Sequence, residues 1–262
     1  MSVGLIVTEL VINALKHAFP EARHGTIKVD YVIDTAVPGS ASVTRSSPFN
    51  QFANEEQQDD GRRFSAIDRR ILEKGLRDFE RWEKSGLGVP SFSVNMSFNR
   101  LRDQELIPSL RRLNVRPGIL SFELLESIFL DATDEVVAWN LDGIKELGAN
   151  ISIDDFGTGH ASVISLLKLE PKFLKLDRQF MGEIITSPTA RSLVGSLIGI
   201  GKSLGITVVA EGVETMAQAH VLRELGCDIL QGYAFAQPMP ADALQKFLEA
   251  QSWRREATHQ IQ

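Results

Sequence analysis

The chain is short of several things, and each shortage removes a class of function. It has a single cysteine, Cys227, so an internal disulfide and most cysteine-based metal sites are excluded. Cys227 lies in "LRELGCDIL", where a thiol serves as a small buried hydrophobe. There is no excess of basic charge: 28 Lys and Arg stand against 34 Asp and Glu, for a net charge of -6. That leaves no electrostatic footprint for polymeric nucleic acid, although an acidic site binds a phosphate ligand once cations stand between them. No apolar stretch reaches the roughly 18 residues that span a bilayer. Glu9 interrupts the N-terminal run where a signal peptide would be apolar. The expectation is a cytoplasmic protein that does not enter a membrane.

What is present is enough for a real core. Hydrophobic residues make up 43% and charged residues 24% of 262, the balance of a soluble globular chain. Two regions differ in kind. "GLIVTELVINALKHAFP" has apolar residues at helical spacing and predicts a helix stopped at Pro20, and "TIKVDYVI" predicts a strand, so 1–33 reads as helix then strand. Residues 34–63 are rich in Ser, Gly, Pro, Gln and charge and read as a linker or mobile loop. From Phe64 to about Ala250 the chain is dense and regular, and 251–262 reads as a tail.

The regular part repeats one pattern. "SFSVNMS", "ILSFELLES", "NISIDDFG", "FLKLDRQF", "TVVAEGVE" and "ILQGYAF" are short apolar runs that end in polar residues and precede amphipathic stretches. The closing residues are Asn95, Glu123, Asp154, Lys175, Glu211 and Gln231, at steps of 28, 31, 21, 36 and 20 residues. One step is about one β-α unit, and such alternation builds a parallel sheet flanked by helices. An open doubly wound sheet gathers its ligand groups at one switch point. Here every strand delivers a polar group at its C-terminal end, which favours an α/β fold of the (β/α) TIM-like barrel type.

Asp154 and Asp155 are adjacent at the close of an apolar run, and unpaired carboxylates there would cost several kcal/mol to desolvate. With Glu123, Glu211, Asn95 and Gln231 they form an all-oxygen set suited to Mg²⁺ or Mn²⁺. Two neighbouring carboxylates serve two neighbouring cations, and a two-metal centre suits in-line attack of water on a phosphodiester. Lys175 would steer the water or stabilise phosphate charge, and Asp177, on the same strand face, would hold the lysine. A carboxylate at one strand end is ordinarily a cap or a surface ion pair. Six such groups on six successive strands argue for a site.

These residues carry a resemblance. "SVNMS", "FELLES", "DDFGTG", "LKLD", "AEGVET" and "LQGYAFAQP", in that order over about 64–250, resemble the EAL-domain family of cyclic di-GMP phosphodiesterases. The resemblance implies Asn95, Glu123, Asp154 and Glu211 as ligands of one metal, with Asp155 and Gln231 serving the second metal or its waters. It implies Glu126 as the anchor of the "DFGTGHAS" loop, Lys175 as the residue positioning the attacking water, and Glu214 in the supporting shell. The reaction implied is hydrolysis of cyclic di-GMP to linear pGpG, a second-messenger step.

The chain departs from the family at His160, where tyrosine is usual, and at Leu125, where threonine is common. More seriously, the Glu-Ala-Leu of an early strand is missing, so the expectation is an EAL-type barrel lacking its usual first strands. Lost strands would expose sheet edges and favour self-association into a homo-oligomer. The missing glutamate leaves two functions open: an impaired phosphodiesterase, or a catalytically degenerate module that binds cyclic di-GMP or a partner. "ELVINALKHAFPEARHGTIKV" in turn resembles the N-box of histidine-kinase ATPase domains, which would set Glu9 and Asn13 towards Mg²⁺ and ATP. An amphipathic helix with incidental charges explains the same letters, and no nucleotide lid or phosphoacceptor helix follows.

Overall fold

Short β-prone runs alternating with amphipathic stretches bury both kinds of apolar face when strands lie side by side and helices cover them. The computed structural model describes residues 7–13, 28–33, 58–87, 89–126, 134–157 and 163–250. Strands β1 (Val7–Asn13) and β2 (Lys28–Ile33) precede the long helix α1 (Gln58–Lys84). Then follow β3 (Ser91–Asn95), α2 (Phe98–Leu101), α3 (Leu106–Leu113), β4 (Leu120–Leu125) and α4 (Glu135–Glu146). The chain continues through β5 (Asn150–Phe156), α5 (Val163–Leu169), β6 (Phe173–Leu176) and α6 (Pro188–Ser203). It closes with β7 (Thr207–Ala210), α7 (Met216–Glu224), β8 (Ile229–Leu230) and α8 (Ala241–Ala250).

The eight strands form one sheet in sequence order, parallel throughout except that β1 runs antiparallel to β2. The sheet is strongly curled. In a flat sheet β4 and β7 would lie about 14 Å apart, three spacings of about 4.8 Å. Yet Glu123 on β4 and Glu211, next after β7, both reach the Lys175 ammonium of β6, at 2.9 and 2.6 Å. That inward curl is the wall of a TIM-like barrel.

Strand periodicity divides each run between two environments. On β6, Leu174 and Leu176 are wholly buried on one face, while Lys175 between them faces the other way. Phe92, Leu124, Ile153 and Val208 are buried to the same degree, each worth about 1.5–3 kcal/mol in transfer terms. Helix α1 closes the core near β3, where Phe79 meets Phe92 with ring centroids 5.3 Å apart and Trp82 is fully buried.

All six expected strands of the regular part are present. The N-terminal expectations fare differently. Val7–Asn13 is a strand, not the helix that the apolar spacing suggests. Four of its seven residues (Val7, Thr8, Val11 and Ile12) are β-branched, which disfavours helix, and β2 offers an edge to pair with. Glu9 and Asn13 therefore stand in a strand, without the helix that the N-box resemblance implies. "TIKVDYVI" does supply a strand, β2, which pairs in parallel with β3. The wall thus begins with strands drawn from 1–33 that carry no Glu-Ala-Leu. Helix α1 starts at Gln58, so 58–63 is helical rather than linker, because extending an established helix is cheap. Residues 34–57 of the expected linker and the tail 251–262 lie outside the described residues.

Candidate metal centre at the strand ends

Lys175 is the hub of the barrel mouth. Its Nζ lies 2.9 Å from Glu123 Oε2, 3.1 Å from Asp154 Oδ1 and 2.6 Å from Glu211 Oε1. Lys175 and Glu123 are nearly sealed from solvent, with side-chain exposures of 3% and 2%. Taking such charges out of water is tolerable only because they face each other. Asn95 is half-buried at the end of β3 and is the Cα partner of Glu123, so register sets it at the same level.

Successive residues of a regular strand point to opposite faces, so Asp154 and Asp155 should diverge. The backbone prevents this. Asp155 has φ of 54°, in the left-handed region that Asp tolerates better than most residues, and the β5–β6 register shifts between Ile153 and Phe156. This irregularity re-aims a side chain as a bulge does. As a result, carboxylate oxygens of Asp154, Asp155 and Glu211 lie within 4.8 Å of one another. The Asp155 N–H also donates to Asp154 Oδ1 at 3.2 Å. Gly157 follows with φ of 97°, and a Cβ there would meet the Phe180 ring at 2.8 Å, so the turn requires glycine.

Crowded carboxylates resist ionisation. Burial pushes Glu211 up to about 8; Lys175 opposes the shift, while Asp154 and Glu123 add to it. Burial likewise raises Asp155 to about 7, reinforced by the Asp154 charge and a hydrogen bond shared with Asp177. Asp154 is raised chiefly by burial, against the pull of Lys175. Four carboxylates, those of Glu123, Asp154, Asp155 and Glu211, face one ammonium. Hard cations are the natural complement to that all-oxygen excess.

The remaining predicted residues divide. Glu126 is buried, and its Oε2 accepts from the Gly157 N–H at 3.1 Å, tying the start of the loop after β5 to β4. Gln231 is buried, and its Oε1 has no hydrogen-bond partner among the described residues, which leaves an acceptor for water. Asp177, expected to hold Lys175, is engaged elsewhere. It lies beyond the end of β6, accepts from the Gln179 N–H at 2.7 Å to cap a single 3₁₀ turn (Arg178–Met181), and faces Asp155. Glu214, expected in the supporting shell, is exposed in the turn before α7, where its own N–H donates to Gln218 Oε1. His160 lies outside the described residues. The Asp155–Asp177 contact was not foreseen, because only the left-handed turn at Asp155 brings the two together.

A family model described as EAL domain matches residues 58–238. Among curated proteins, the chain is 35% identical over 179 residues to the bifunctional diguanylate cyclase/cyclic di-GMP phosphodiesterase MucR of Pseudomonas aeruginosa, covering 66% of this chain and 26% of that protein. It is 34% identical over 188 residues to the cyclic di-GMP phosphodiesterase NbdA of the same organism, covering 70% and 24%. The chain thus spans about a quarter of the length of these relatives. Among solved structures, a PaMucR phosphodiesterase in complex with c-di-GMP superposes with a TM-score of 0.72 at 28% identity, covering 91% of this chain and 94% of that one. The manganese/cyclic di-GMP complex of Klebsiella pneumoniae BlrP1 at pH 6 gives 0.64 at 26% identity, covering 90% and 56%. No helix among the described residues is long and apolar enough to cross a membrane.

Proposed function

The chain belongs to the EAL domain family, a family of phosphodiester hydrolases, and from that premise we propose that it hydrolyses cyclic di-GMP to linear pGpG in the cytoplasm, using two divalent cations, Mg²⁺ or Mn²⁺. The observation that carries this reading is the convergence of Glu123, Asp154 and Glu211 on Lys175, with Asp155 drawn in beside them. Asn95, Glu123, Asp154 and Glu211 would hold one cation, and Asp155 with Gln231 would serve the second or its waters. When bound, such cations polarise phosphoryl oxygens and acidify a water.

The chain's own residues do the rest. Lys175 is fixed by its carboxylates, so its positive charge is held in place and needs no reorganisation as charge develops on the phosphoryl group. Asp155 and Glu211, which hold protons near neutral pH, are the groups that release them as positive charge arrives. Glu126 holds the backbone at Gly157, the residue that follows β5. In the reaction, the water oxygen bonds to phosphorus, the P–O3′ bond breaks, and a proton passes to the leaving oxygen.

One observation favours a second reading, a module that binds cyclic di-GMP without turnover. Strand β2, Lys28–Ile33, contains no glutamate and no Glu-Ala-Leu. Incubation of the purified protein with cyclic di-GMP and Mn²⁺, followed by chromatography, separates the two. Appearance of pGpG supports hydrolysis, saturable binding with no product supports the module, and neither binding nor product defeats both.

A further inference from the structure

Two positions before the mouth residue of each ligand-bearing strand stands a serine: Ser93 before Asn95, Ser121 before Glu123, and Ser152 before Asp154. The strand period of two gives each serine the same face as the residue above it. Register keeps them together: Ser93 is the Cα partner of Ser121, and Ser152 is that of Glu123. The three hydroxyls therefore form a stepped tier on the inner wall: Ser93 and Ser121 lie side by side beneath Asn95 and Glu123, and Ser152 lies one step higher, beside Glu123 and beneath Asp154. The corresponding positions of β6, β7 and β8 are Phe173, Val209 and Ile229. Among β3–β8, the position two before the mouth residue is polar only on the strands that bear Asn95, Glu123 and Asp154.

The exposures of Ser93, Ser121 and Ser152 are 0%, 1% and 0%, and none of their hydroxyls has a hydrogen-bond partner among the described residues. A buried hydroxyl without a partner costs about as much as a lost hydrogen bond. Barrel interiors are ordinarily filled by bulky branched residues, whereas three serines on neighbouring strands bring small side chains and unmet polarity. Water answers both, since one molecule donates, accepts and makes about three hydrogen bonds in such a place.

We propose that the serine tier binds a cluster of ordered waters, and that through it Ser93, Ser121 and Ser152 are positioning residues for Glu123 and Asp154. Lys175 restrains these carboxylates at the mouth, and the hydrated tier supports them from below. The positioning half rests on the metal centre proposed above, while the hydration half does not.

Diffraction from crystals of the wild-type protein at about 1.5 Å tests hydration directly. Ordered waters bonded to all three hydroxyls are expected, and a dry tier would overturn the proposal. The triple variant Ser93→Ala, Ser121→Ala, Ser152→Ala gives a sign test that needs no activity. If water satisfies the hydroxyls, the midpoint of urea unfolding falls; if they are unpaired, it rises or stays, which also overturns the proposal. Ser121→Ala alone is expected to weaken Mn²⁺ binding about tenfold by calorimetry, with KM for cyclic di-GMP unchanged. Unaltered Mn²⁺ affinity would remove the positioning role. Absence of hydrolysis by the wild type would count against the proposed function and leave the water and calorimetric results to stand or fall separately.

Discussion

Strands β3–β8 and the hairpin β1–β2 share one sheet, yet they meet different demands. Each of β3–β8 delivers a polar residue to the mouth, at Asn95, Glu123, Asp154, Lys175, Glu211 and Gln231. Strand β2 pairs with β3 just as regularly, Tyr31 opposite Val94, but its sequence, KVDYVI, contains no glutamate. Backbone pairing asks only for N–H and C=O groups and residues that fit a pleated surface. The site asks for one particular group at one position. A strand can therefore satisfy the sheet without satisfying the chemistry.

The sharpest way to break this comparison is at Lys175. Lys175→Met removes the ammonium shared by three carboxylates, and pGpG formation at saturating Mn²⁺ should fall about 10²–10⁴-fold, the range for loss of a positioned catalytic group. A variant that keeps its rate would mean that β3–β8 are merely structural, like the hairpin. Asp154→Asn keeps an oxygen and loses the charge. Mn²⁺ affinity by calorimetry should drop at least about tenfold, since even outer-shell changes cost 10–100-fold, and an unchanged isotherm would remove Asp154 from the ligand set.

The hairpin can be tested by giving it what it lacks. Val32→Glu adds a carboxylate one residue beyond the Tyr31–Val94 pair and is expected to tighten Mn²⁺ binding about tenfold, because oxygen sites gain affinity with ligand charge. Glu9 is the Cα partner of Val32 on β1. If Val32→Glu brings no gain and Glu9→Gln weakens binding, the hairpin already contributes a carboxylate and the contrast drawn above is wrong.

The smallest expected effect is a pH dependence that belongs to the mouth alone. Glu211 and Asp155 are raised to about 8 and about 7, so the folded protein holds protons that the unfolded chain has already lost in the ordinary carboxylate range. Without metal, the stability these two groups contribute is therefore fully present below that range and is lost as pH rises to 7 and 8. A cation must displace those protons, so Mn²⁺ affinity should rise severalfold over the same interval and then level off. Calorimetry in buffers of different ionisation enthalpy would detect the released protons. A flat profile would mean that these carboxyls do not face the metal.

The six-strand wall was legible because each strand announces itself: an apolar run, a polar terminus and an amphipathic sequel. The polar residues that close these strands were legible for the same reason. Val7–Asn13 was misread because its apolar letters fit two periods, and its pairing with β2, fifteen or more residues away, decided between them. Asp177 was misassigned because face parity holds only within a strand, and β6 ends one residue earlier, at Leu176. The role of Asp155 was half legible. The adjacency of two carboxylates pointed to cations, but nothing in the letters "DDFG" specifies a φ of 54° at the second aspartate.

The sequence by itself determined which groups arrive at the strand ends, since side-chain alternation and helix periodicity are properties of near neighbours. Tertiary structure decided that those groups meet. Glu123 and Glu211 are separated by 88 residues, and only the curl of the sheet brings both to the Lys175 ammonium. It also decided that Asp155 turns towards Asp154 and that the barrel wall begins with the antiparallel pair β1–β2. Curl, register and bulges arise from contacts between residues distant along the chain, and local periodicity carries no record of them.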